Sequence, residues 1–366
     1  MGTFSASMNR RPKVRTKRFS RKRIVQPGET GSLSSPTLVE LARQLGLSRS
    51  TVSRAFYDDA RINSETRALV LDHASRIGYR PNPLARGLIT RRTRIVGVIV
   101  SDITNPFYPE VLTKLTEKLQ REGLNVMLLV VNPDRSEEDA VQTLLSYRID
   151  LVVMLATTLT SAGARACQRA GTPVVLFNRH GSDENMYAIT CDNERGGRAV
   201  ADFLIDNGHR RLGFVAGNPD ASTNSERRKG FITRCNQRGA ESIIESQGTV
   251  FSYEAGYTAA RSLLSAPDRP TAIFCANDIL AIGAFDVARR EFKLTIPQDL
   301  SIVGFDDIAL ASWPSHSLTT VHQPITQMIE LTLDIVRTLL RGETPAAGLV
   351  TVPGELIIRS TTNYVF

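Results

Sequence analysis

At 366 residues the chain is too long for one ordinary hydrophobic core, so we expect two or three domains. Hydrophobic residues make up 42% and charged residues 22%, and no run approaches the roughly 18 apolar residues that span a bilayer. The net charge of +8 divides into +8 for residues 1–35, +6 for residues 36–94 and −6 for residues 95–366. We therefore expect no secretory signal and no membrane partner, but a cytoplasmic, nucleoid-associated protein whose basic front binds a polyanion.

Residues 1–35 form a basic N-terminal extension. Arg, Lys, Ser, Gly and Pro predominate and apolar residues are few, so this segment is predicted to be disordered. Two interpretations stay open. The extension binds DNA nonspecifically, or it is an upstream addition without a role, for which Met8 is one candidate for the true start.

Residues 36–80 are predicted to fold as three short helices around a small apolar core. Each helix has a local signal for its beginning or end. The beginnings are a capping box at Thr37 and Glu40 and the N-caps Ser48 and Asn63, and the ends are Gly46 and Gly78. Apolar residues recur at helical spacing, which predicts a core of Leu38, Leu41, Ala42, Leu45, Val52, Ala55, Phe56, Val70, Ala74 and Ile77. Two helices separated by a glycine turn, with a third that closes the core, indicate a helix-turn-helix domain.

The second predicted helix, residues 49 to about 56, carries the side chains that suit DNA. In a helix-turn-helix this helix enters the major groove, where Arg49, Ser50 and Arg54 would meet base edges. Arginine binds guanine bidentately, and the hydroxyls of Thr51 and Ser53 would reach phosphates. The DNA-binding set also includes the cap residues Thr37 and Ser48, and Tyr79, Asn82, Ala85 and Leu88 next to or within the following segment. An interaction module with a solvated arginine face is the alternative interpretation.

Residues 81–94 are predicted to be a hinge. Asn82 caps and Pro83 suits the first helical position, so the segment encodes a helix of two turns that is too short to be stable alone in water. A helix that folds only on DNA and presents Leu88 as an apolar wedge would intercalate in the minor groove. A plain linker with an incidental leucine is the alternative.

From residue 95 onwards, apolar strands alternate with amphipathic helices. The predicted strands are 95–100, 126–131, 151–156, 174–177, 212–216, 272–275 and 301–304. This alternation predicts an α/β architecture of parallel sheets flanked by helices, and about 270 residues would suit two such sheets.

Several motifs in order along the chain are familiar. The segments TLVELARQLGLSRSTVSRAF, INSETR, GYRPNPLARGL and TRRTRIVGVIV are followed by DITNPFY, CDNERGG, FCANDILAIGAF, GFDDI, SLTTVHQP and PGELIIRST. Together they resemble the lactose/galactose-repressor (LacI/GalR) family over about residues 36–362.

The resemblance implies a transcriptional repressor that binds a palindromic operator as a homodimer, with a tetramer as an alternative. Leu88 and its symmetry mate would open a central base step. A periplasmic-binding-protein-like domain would follow over residues 95–366, with two lobes crossed by three strands. The first lobe would hold about residues 95–191 and 322–352, and the second about 194–320 and 353–366.

The resemblance also implies an effector site between the lobes, where open α/β sheets bind ligands. Carried over one position at a time, the residues that would bind a sugar or sugar acid are Ser101, Phe107, Asn178, Asp192, Arg227, Asn277 and Asp306. Carboxylate, amide and guanidinium groups bind hydroxyls, and an aromatic ring packs on an apolar sugar face. For any one of them the alternative is a strand-end polar residue that caps a helix, above all for Asp192.

Three positions depart from the family pattern. Tyr57 stands where an asparagine is usual, Asn178 where an aspartate is common, and Gly87 is unusual in the hinge. These departures put in doubt a phosphate contact, the acidity of the pocket and the details of the hinge.

Other classes of protein find less support in the sequence. No GxGxxG, GxxxxGK[ST], GxSxG or HExxH motif is present, and the cysteines and histidines are scattered, so we expect no enzyme, no cofactor and no metal. A transport-binding protein would lack residues 36–94, and a structural DNA binder would not need a cleft. The family also leaves a purine effector or a phosphorylated protein partner open. The sequence does not show whether the effector releases or promotes DNA binding.

Overall fold

The computed structural model describes residues 36–56, 62–81, 92–101, 103–132, 134, 136–156, 161–181, 186–346 and 348–363. The chain divides into two compact units, Met1–Asn82 and Pro83–Phe366. The N-terminal extension, Tyr57 and most of the predicted hinge, including Asn82, Ala85, Gly87 and Leu88, lie outside the described residues.

The described part of the first unit contains three helices, whose ends follow the predicted signals. They are α1 (Leu38–Leu45), α2 (Arg49–Ala55) and α3 (Ser64–Ile77). Thr37 and Glu40 form the predicted capping box, and Ser48 and Asn63 cap α2 and α3. Gly46 and Gly78 end their helices in the left-handed conformation that glycine adopts most readily. The predicted helix boundaries are therefore confirmed to within one residue.

The core of this unit is small. Its fully buried members are Leu41, Ala42, Val52, Ala55, Val70 and Ala74, and the other predicted core residues, Leu38, Leu45, Phe56 and Ile77, are partly buried. Three short helices bury little apolar area, so each central side chain carries a large share of the unit's stability.

The described residues of the second unit form two six-stranded sheets. The first sheet holds β1 (Ile95–Val100), β2 (Asn125–Val130), β3 (Leu151–Leu155), β4 (Val174–Phe177), β5 (Tyr187–Cys191) and β11 (Leu349–Val352), in the order β11-β5-β4-β3-β1-β2. All its pairs are parallel; for example, Val98 lies between Leu128 and Val153. Its connecting helices are α4 (Phe107–Arg121), α5 (Glu137–Ser146), α6 (Ser161–Ala170) and α11 (Ile325–Arg341).

The second sheet has the order β12-β10-β9-β8-β6-β7. Its strands are β6 (Arg211–Val215), β7 (Ser242–Glu245), β8 (Ala272–Cys275), β9 (Ser301–Asp306), β10 (Thr319–His322) and β12 (Glu355–Ile357). Only the short β12 runs antiparallel among the strand pairs of the described residues. The helices α7 (Asn193–Asp206), α8 (Ser222–Gln237), α9 (Tyr253–Leu264) and α10 (Asp278–Arg290) connect it, and a short 3-10 helix spans Ala309–Ser312.

The chain passes between the two sheets three times, after β5, after β10 and after β11. The predicted α/β class, with parallel sheets and helical connections, is confirmed. The predicted strands do not include β5, β7, β10, β11 or β12, because each has only three to five residues and mixes polar with apolar side chains, so none gives a long apolar run. No helix among the described residues is both long and apolar enough to cross a membrane.

Candidate functional site

The outer face of α2 carries the residues predicted to read DNA. Val52 and Ala55 point into the core, which leaves Arg49, Ser50 and Arg54 exposed. The helix therefore presents two guanidinium groups and a hydroxyl to an external partner. The arrangement matches the hydrogen-bond donors that base edges and phosphates accept.

Hydroxyl groups cluster where α2 begins. Ser48 Oγ accepts a hydrogen bond from the backbone N–H of Thr51 at 3.1 Å. The same oxygen lies 2.8 Å from Ser50 Oγ and 2.8 Å from Thr51 Oγ1. Ser53, the other predicted phosphate contact, is half-buried on the same helix. The N-cap thus fixes the helix terminus, whose free backbone N–H groups and positive dipole end favour an anion.

Two other residues of the predicted DNA-binding set have structural roles within the first unit. Thr37 Oγ1 accepts from the Glu40 N–H at 3.2 Å and so caps α1. Tyr79 is half-buried, and its ring centroid lies 5.4 Å from that of Phe56. Both contacts stabilise the unit, whatever else these side chains bind.

The second unit has a buried polar cluster centred on Arg227 of α8. Arg227 is 2% exposed. Its Nε donates to Asn193 Oδ1 at 2.9 Å, its Nη1 donates to the Ala276 carbonyl at 2.7 Å, and its Nη2 lies 3.2 Å from Asp306 Oδ1. The guanidinium carbon is 3.7 Å from the centroid of the Phe305 ring, which adds a cation–π contact.

Close helix packing places this arginine. The Cβ of any larger residue at Gly197 would lie 2.3 Å from the Arg227 carbonyl oxygen, and one at Gly230 would lie 2.1 Å from the Glu194 carbonyl oxygen. Only glycine lets α7 and α8 approach this closely. The contact brings Arg227 next to Asn193, the first residue of α7.

Asp306 ends β9 in a strained conformation, with φ +119°. Its Oδ1 accepts from Gln323 Nε2 at 2.7 Å in addition to facing Arg227. Burial raises the pKa of Asp306 above its ordinary value, although Arg227, Gln323 and Asn277 act in the opposite direction. A buried carboxylate held at an unusual backbone angle is typical of a binding site.

Asn178 ends β4 on the first sheet, also with positive φ, at +60°. Its Nδ2 donates to the hydroxyl of Tyr108 at 3.4 Å. Burial raises the pKa of Tyr108, and its hydroxyl interacts electrostatically with Arg179, Asp306 and Arg227. Tyr108 therefore links the side chains at the ends of both sheets.

A second set of contacts joins the sheets beside this cluster. His180 follows β4, and its Nε2 lies 2.6 Å from Oε1 of Glu226 on α8. The backbone N–H of His180 donates to Ser222 Oγ at 3.2 Å. Glu226 Oε2 accepts from Asn193 Nδ2 at 2.9 Å, so the chain of contacts continues to Arg227. The hydrogen bond with Glu226 raises the pKa of His180, while burial opposes the shift.

The remaining predicted effector residues are engaged within their own lobes. Asp192 Oδ1 accepts from the Arg195 N–H at 3.0 Å and caps α7, and Asn277 Oδ1 accepts from the Leu280 N–H at 3.1 Å and caps α10. Ser101 Oγ donates to the Ala156 carbonyl at 2.6 Å. Phe107 is buried against Tyr108, with ring centroids 5.2 Å apart. The capping alternative raised for Asp192 thus describes its contact here.

Some buried atoms of the cluster have unmet hydrogen-bonding capacity. Those without a hydrogen-bond partner are Asn178 Oδ1, Arg179 Nε, Arg227 Nη2 and Gln323 Oε1. Arg227 Nη2 lies near Asp306, but the angle does not suit a hydrogen bond. Buried polar atoms are almost always satisfied in native proteins, so a group of exceptions at one place indicates where a polar ligand binds.

The sequence analysis named Arg227, Asp306 and Asn178 but did not find the residues around them. The missed residues are Tyr108, Arg179, His180, Asn193, Glu226, Phe305 and Gln323. The only signal for them was their position, because each lies within two residues of a predicted site residue or within a quoted motif.

Comparisons with known proteins agree with this arrangement. Residues 37–82 match the family model of bacterial regulatory proteins, lacI family, and residues 201–362 match that of the periplasmic binding protein-like domain. The chain is 31% identical to the ribose operon repressor of Escherichia coli strain K12, covering 82% of this chain and 92% of the relative. It is 29% identical to catabolite control protein A of Priestia megaterium, covering 89% and 99%.

Two solved structures cover both units. A lac repressor bound to ONPG in the repressed state has a TM-score of 0.79 and 25% identity, covering 89% of this chain and 99% of that one. The transcriptional regulator CelR in complex with cellobiose has a TM-score of 0.67 and 27% identity, again covering 89% and 99%. The periplasmic-binding-protein-like architecture of the second unit therefore follows from structure as well as from sequence.

Proposed function

The chain belongs to the lacI family of bacterial regulatory proteins, and we propose that it is a sequence-specific repressor of a carbohydrate-use operon controlled by a small sugar-like effector. It would bind a palindromic operator as a homodimer, in the cytoplasm and on the nucleoid, and carry out no catalytic step. Relatives named for the ribose operon and for a cellobiose complex support an effector of this class.

The observation that carries the sensing part of the proposal is the group of unsatisfied buried atoms between the two sheets. Asn178 Oδ1 and Gln323 Oε1 can accept hydrogen bonds, and Arg227 Nη2 can donate one. A polyhydroxylated ligand offers donors and acceptors on every face, so it would complete these contacts. Because the surrounding side chains are nearly fully buried, the lobes must separate before such a ligand enters.

The DNA-reading part rests on α2 and the capped helix start. Arg49, Ser50 and Arg54 would contact base edges, and the hydroxyls near Ser48 would contact phosphates. In a homodimer two such helices bind half-sites about one helical turn apart, so we propose an inverted-repeat operator.

Control would follow from differential binding. An effector that prefers one arrangement of the lobes shifts the population of the dimer toward that arrangement. We propose that residues 81–94 act as a hinge that is competent for operator binding in only one of the two arrangements, with Leu88 intercalating. The coupling free energy is reciprocal, so operator binding changes effector affinity by the same factor.

Selection from a random DNA library tests the function directly. The full-length chain is expected to enrich an inverted repeat, and a labelled duplex of that sequence is expected to bind two chains. Recovery of only unrelated sequences, with an affinity that depends on salt alone, would contradict sequence-specific recognition and leave nonspecific DNA binding.

A further inference from the structure

Arg179 is a largely buried cation to which the described residues provide no partner. It follows Asn178 at the carboxyl end of β4, and only 8% of the residue is exposed. Among the described residues, none forms a hydrogen bond or an ion pair with its side chain, and its Nε is fully buried without a hydrogen-bond partner. A buried charge is ordinarily paired, because water no longer solvates it.

The other cationic side chains of the cluster already have acidic partners. Arg227 faces Asp306 at 3.2 Å, and His180 lies 2.6 Å from Glu226. Arg179 directly follows Asn178, whose Nδ2 donates to the Tyr108 hydroxyl at 3.4 Å, and that hydroxyl interacts electrostatically with Arg179, Arg227 and Asp306. Among the described residues, Arg179 is therefore the cation of this cluster that has no counter-ion.

The nearby carboxyl groups are engaged by other groups. Asp306 faces Arg227 and accepts from Gln323 Nε2 at 2.7 Å. Asp278 is fully buried; Thr320 Oγ1 donates to its Oδ1 at 2.5 Å, and the Ile308 N–H donates to its Oδ2 at 2.9 Å. Neither carboxyl group therefore pairs with Arg179.

We infer that the effector is an anionic sugar derivative, a sugar acid or a sugar phosphate, whose carboxylate or phosphate binds the guanidinium of Arg179. This inference rests on the proposed function and specifies the chemistry of its effector. The planar fork of arginine donates two parallel hydrogen bonds to a carboxylate or a phosphate. A neutral sugar would leave the buried charge uncompensated.

The remaining unsatisfied groups suit the neutral part of such a ligand. Asn178 Oδ1 and Gln323 Oε1 would accept from sugar hydroxyls, while Arg227 Nη2 would donate to one. Asn178 contacts the Tyr108 hydroxyl, Gln323 and Arg227 both face Asp306, and the Tyr108 hydroxyl interacts electrostatically with Arg179 and Arg227, so we expect one ligand of sugar size to reach these groups together.

The test uses matched series of neutral and charged sugars on the full-length chain. Glucose, gluconate, glucuronate and glucose 6-phosphate form one series, and the corresponding galactose and ribose compounds form two more. Binding is measured by thermal shift and confirmed by calorimetry. A native-state ligand raises the melting temperature with concentration. We expect at least one charged member of a series to bind at least tenfold more tightly than its neutral parent, and the carboxylates and phosphates to differ enough to identify the anion.

Two variants of Arg179 give the assignment a specific readout. Arg179→Met, which keeps the apolar stem, is expected to lower affinity for the charged ligand by about 10- to 100-fold, the range for a charge-assisted pair. Arg179→Lys keeps the charge but loses the planar fork of arginine, so its affinity for the charged ligand should lie between those of wild type and Arg179→Met. The matched control is Arg228→Met. Arg228 lies on α8, is exposed and pairs with Glu245, so this variant should bind the charged ligand like wild type. Without ligand, Arg179→Met is expected to melt at a higher temperature than wild type, because it removes an uncompensated buried charge.

The outcomes separate this inference from the proposed function. Tight binding of a neutral sugar that Arg179→Met leaves unchanged would overturn the anionic assignment and support the regulator. A panel in which no charged compound binds, or an unliganded Arg179→Met that melts well below wild type, would also overturn it. Operator binding, measured on the same preparations by gel shift, tests the proposed function independently.

Discussion

The two units of this chain hold their candidate functional side chains in opposite ways. In the first unit Arg49, Ser50 and Arg54 lie exposed on α2, above a core to which they do not contribute. In the second unit Arg227 and Asp306 are 2% and 4% exposed and are joined to their neighbours by hydrogen bonds. Substitutions on the exposed face of α2 should therefore change DNA binding without changing stability, whereas substitutions in the effector site should change both ligand binding and stability.

The largest effect is expected where that coupling is strongest. Arg227→Met removes the partner of a buried carboxyl group and two hydrogen bonds, so it should lower the free energy of unfolding of the second unit by about 3–5 kcal/mol. Urea denaturation measures this change. Arg228→Met is the matched control: its exposed ion pair with Glu245 should be worth less than about 1 kcal/mol. Equal losses of unfolding free energy in the two variants would contradict the difference that we draw between buried and exposed groups.

A core substitution in the reader should act on that unit alone. Leu41 is fully buried, so Leu41→Ala is expected to cost about 2–4 kcal/mol by lost burial and a residual cavity. Calorimetry should show a lower melting temperature for the first unit and an unchanged transition for the second. Val39→Ala, on the same helix but 55% exposed, is the control and should change little. A joint shift of both transitions would contradict independent units.

On the exposed face of α2 we expect the opposite result, a loss of DNA binding without a loss of stability. Arg49→Met is expected to weaken binding to the selected operator by about 10- to 100-fold, through loss of a bidentate base contact. Its free energy of unfolding should stay within about 0.5 kcal/mol of wild type, because the side chain is exposed. Arg76→Met tests the same charge change on α3, where Arg76 pairs with Asp72 on an exposed surface. Comparable losses of operator affinity in both variants would show a general electrostatic effect rather than a specific contact.

The smallest expected effect concerns pH. The hydrogen bond with Glu226 raises the pKa of His180, so this contact between the sheets is fully stabilising below the ordinary histidine value near 6.5. Its contribution is lost as pH rises through the raised pKa. The difference in unfolding free energy between wild type and His180→Gln should therefore be larger at pH 5.5 than at pH 8.5, by less than about 1 kcal/mol. A difference that does not change with pH, or grows at pH 8.5, would contradict the assignment.

The same contrast explains what the sequence could predict. Helix caps involve residues three positions apart, so Thr37 with Glu40, Ser48 and Asn63 could be identified from the chain alone. The alternation of strands and helices predicted the α/β architecture, although the short strands β5, β7, β10, β11 and β12 were not predicted. The helices of the first unit were predictable because their caps involve residues that are close together in the chain.

The effector site depends on residues far apart in the chain. Motifs placed Arg227, Asp306 and Asn178, but nothing in the sequence joined His180 to Glu226 or Asn193 to Arg227. Those contacts form because Gly197 and Gly230 let α7 and α8 approach closely and because the chain crosses between the sheets three times. Likewise, only the fold shows that Arg179 is largely buried and that no described residue pairs with it.

The central claim is that the buried site controls the exposed reader, and the most direct measurement is operator affinity in the presence of each compound of the sugar panel. Fluorescence anisotropy with the selected duplex gives Kd for wild type and for Arg179→Met. We predict that a compound that binds wild type changes its operator Kd by at least fivefold, the lower end of typical allosteric coupling. The change should be much reduced at the same concentration in Arg179→Met, whose operator affinity without ligand remains that of wild type. A compound that binds the second unit tightly while leaving operator Kd unchanged would contradict the account.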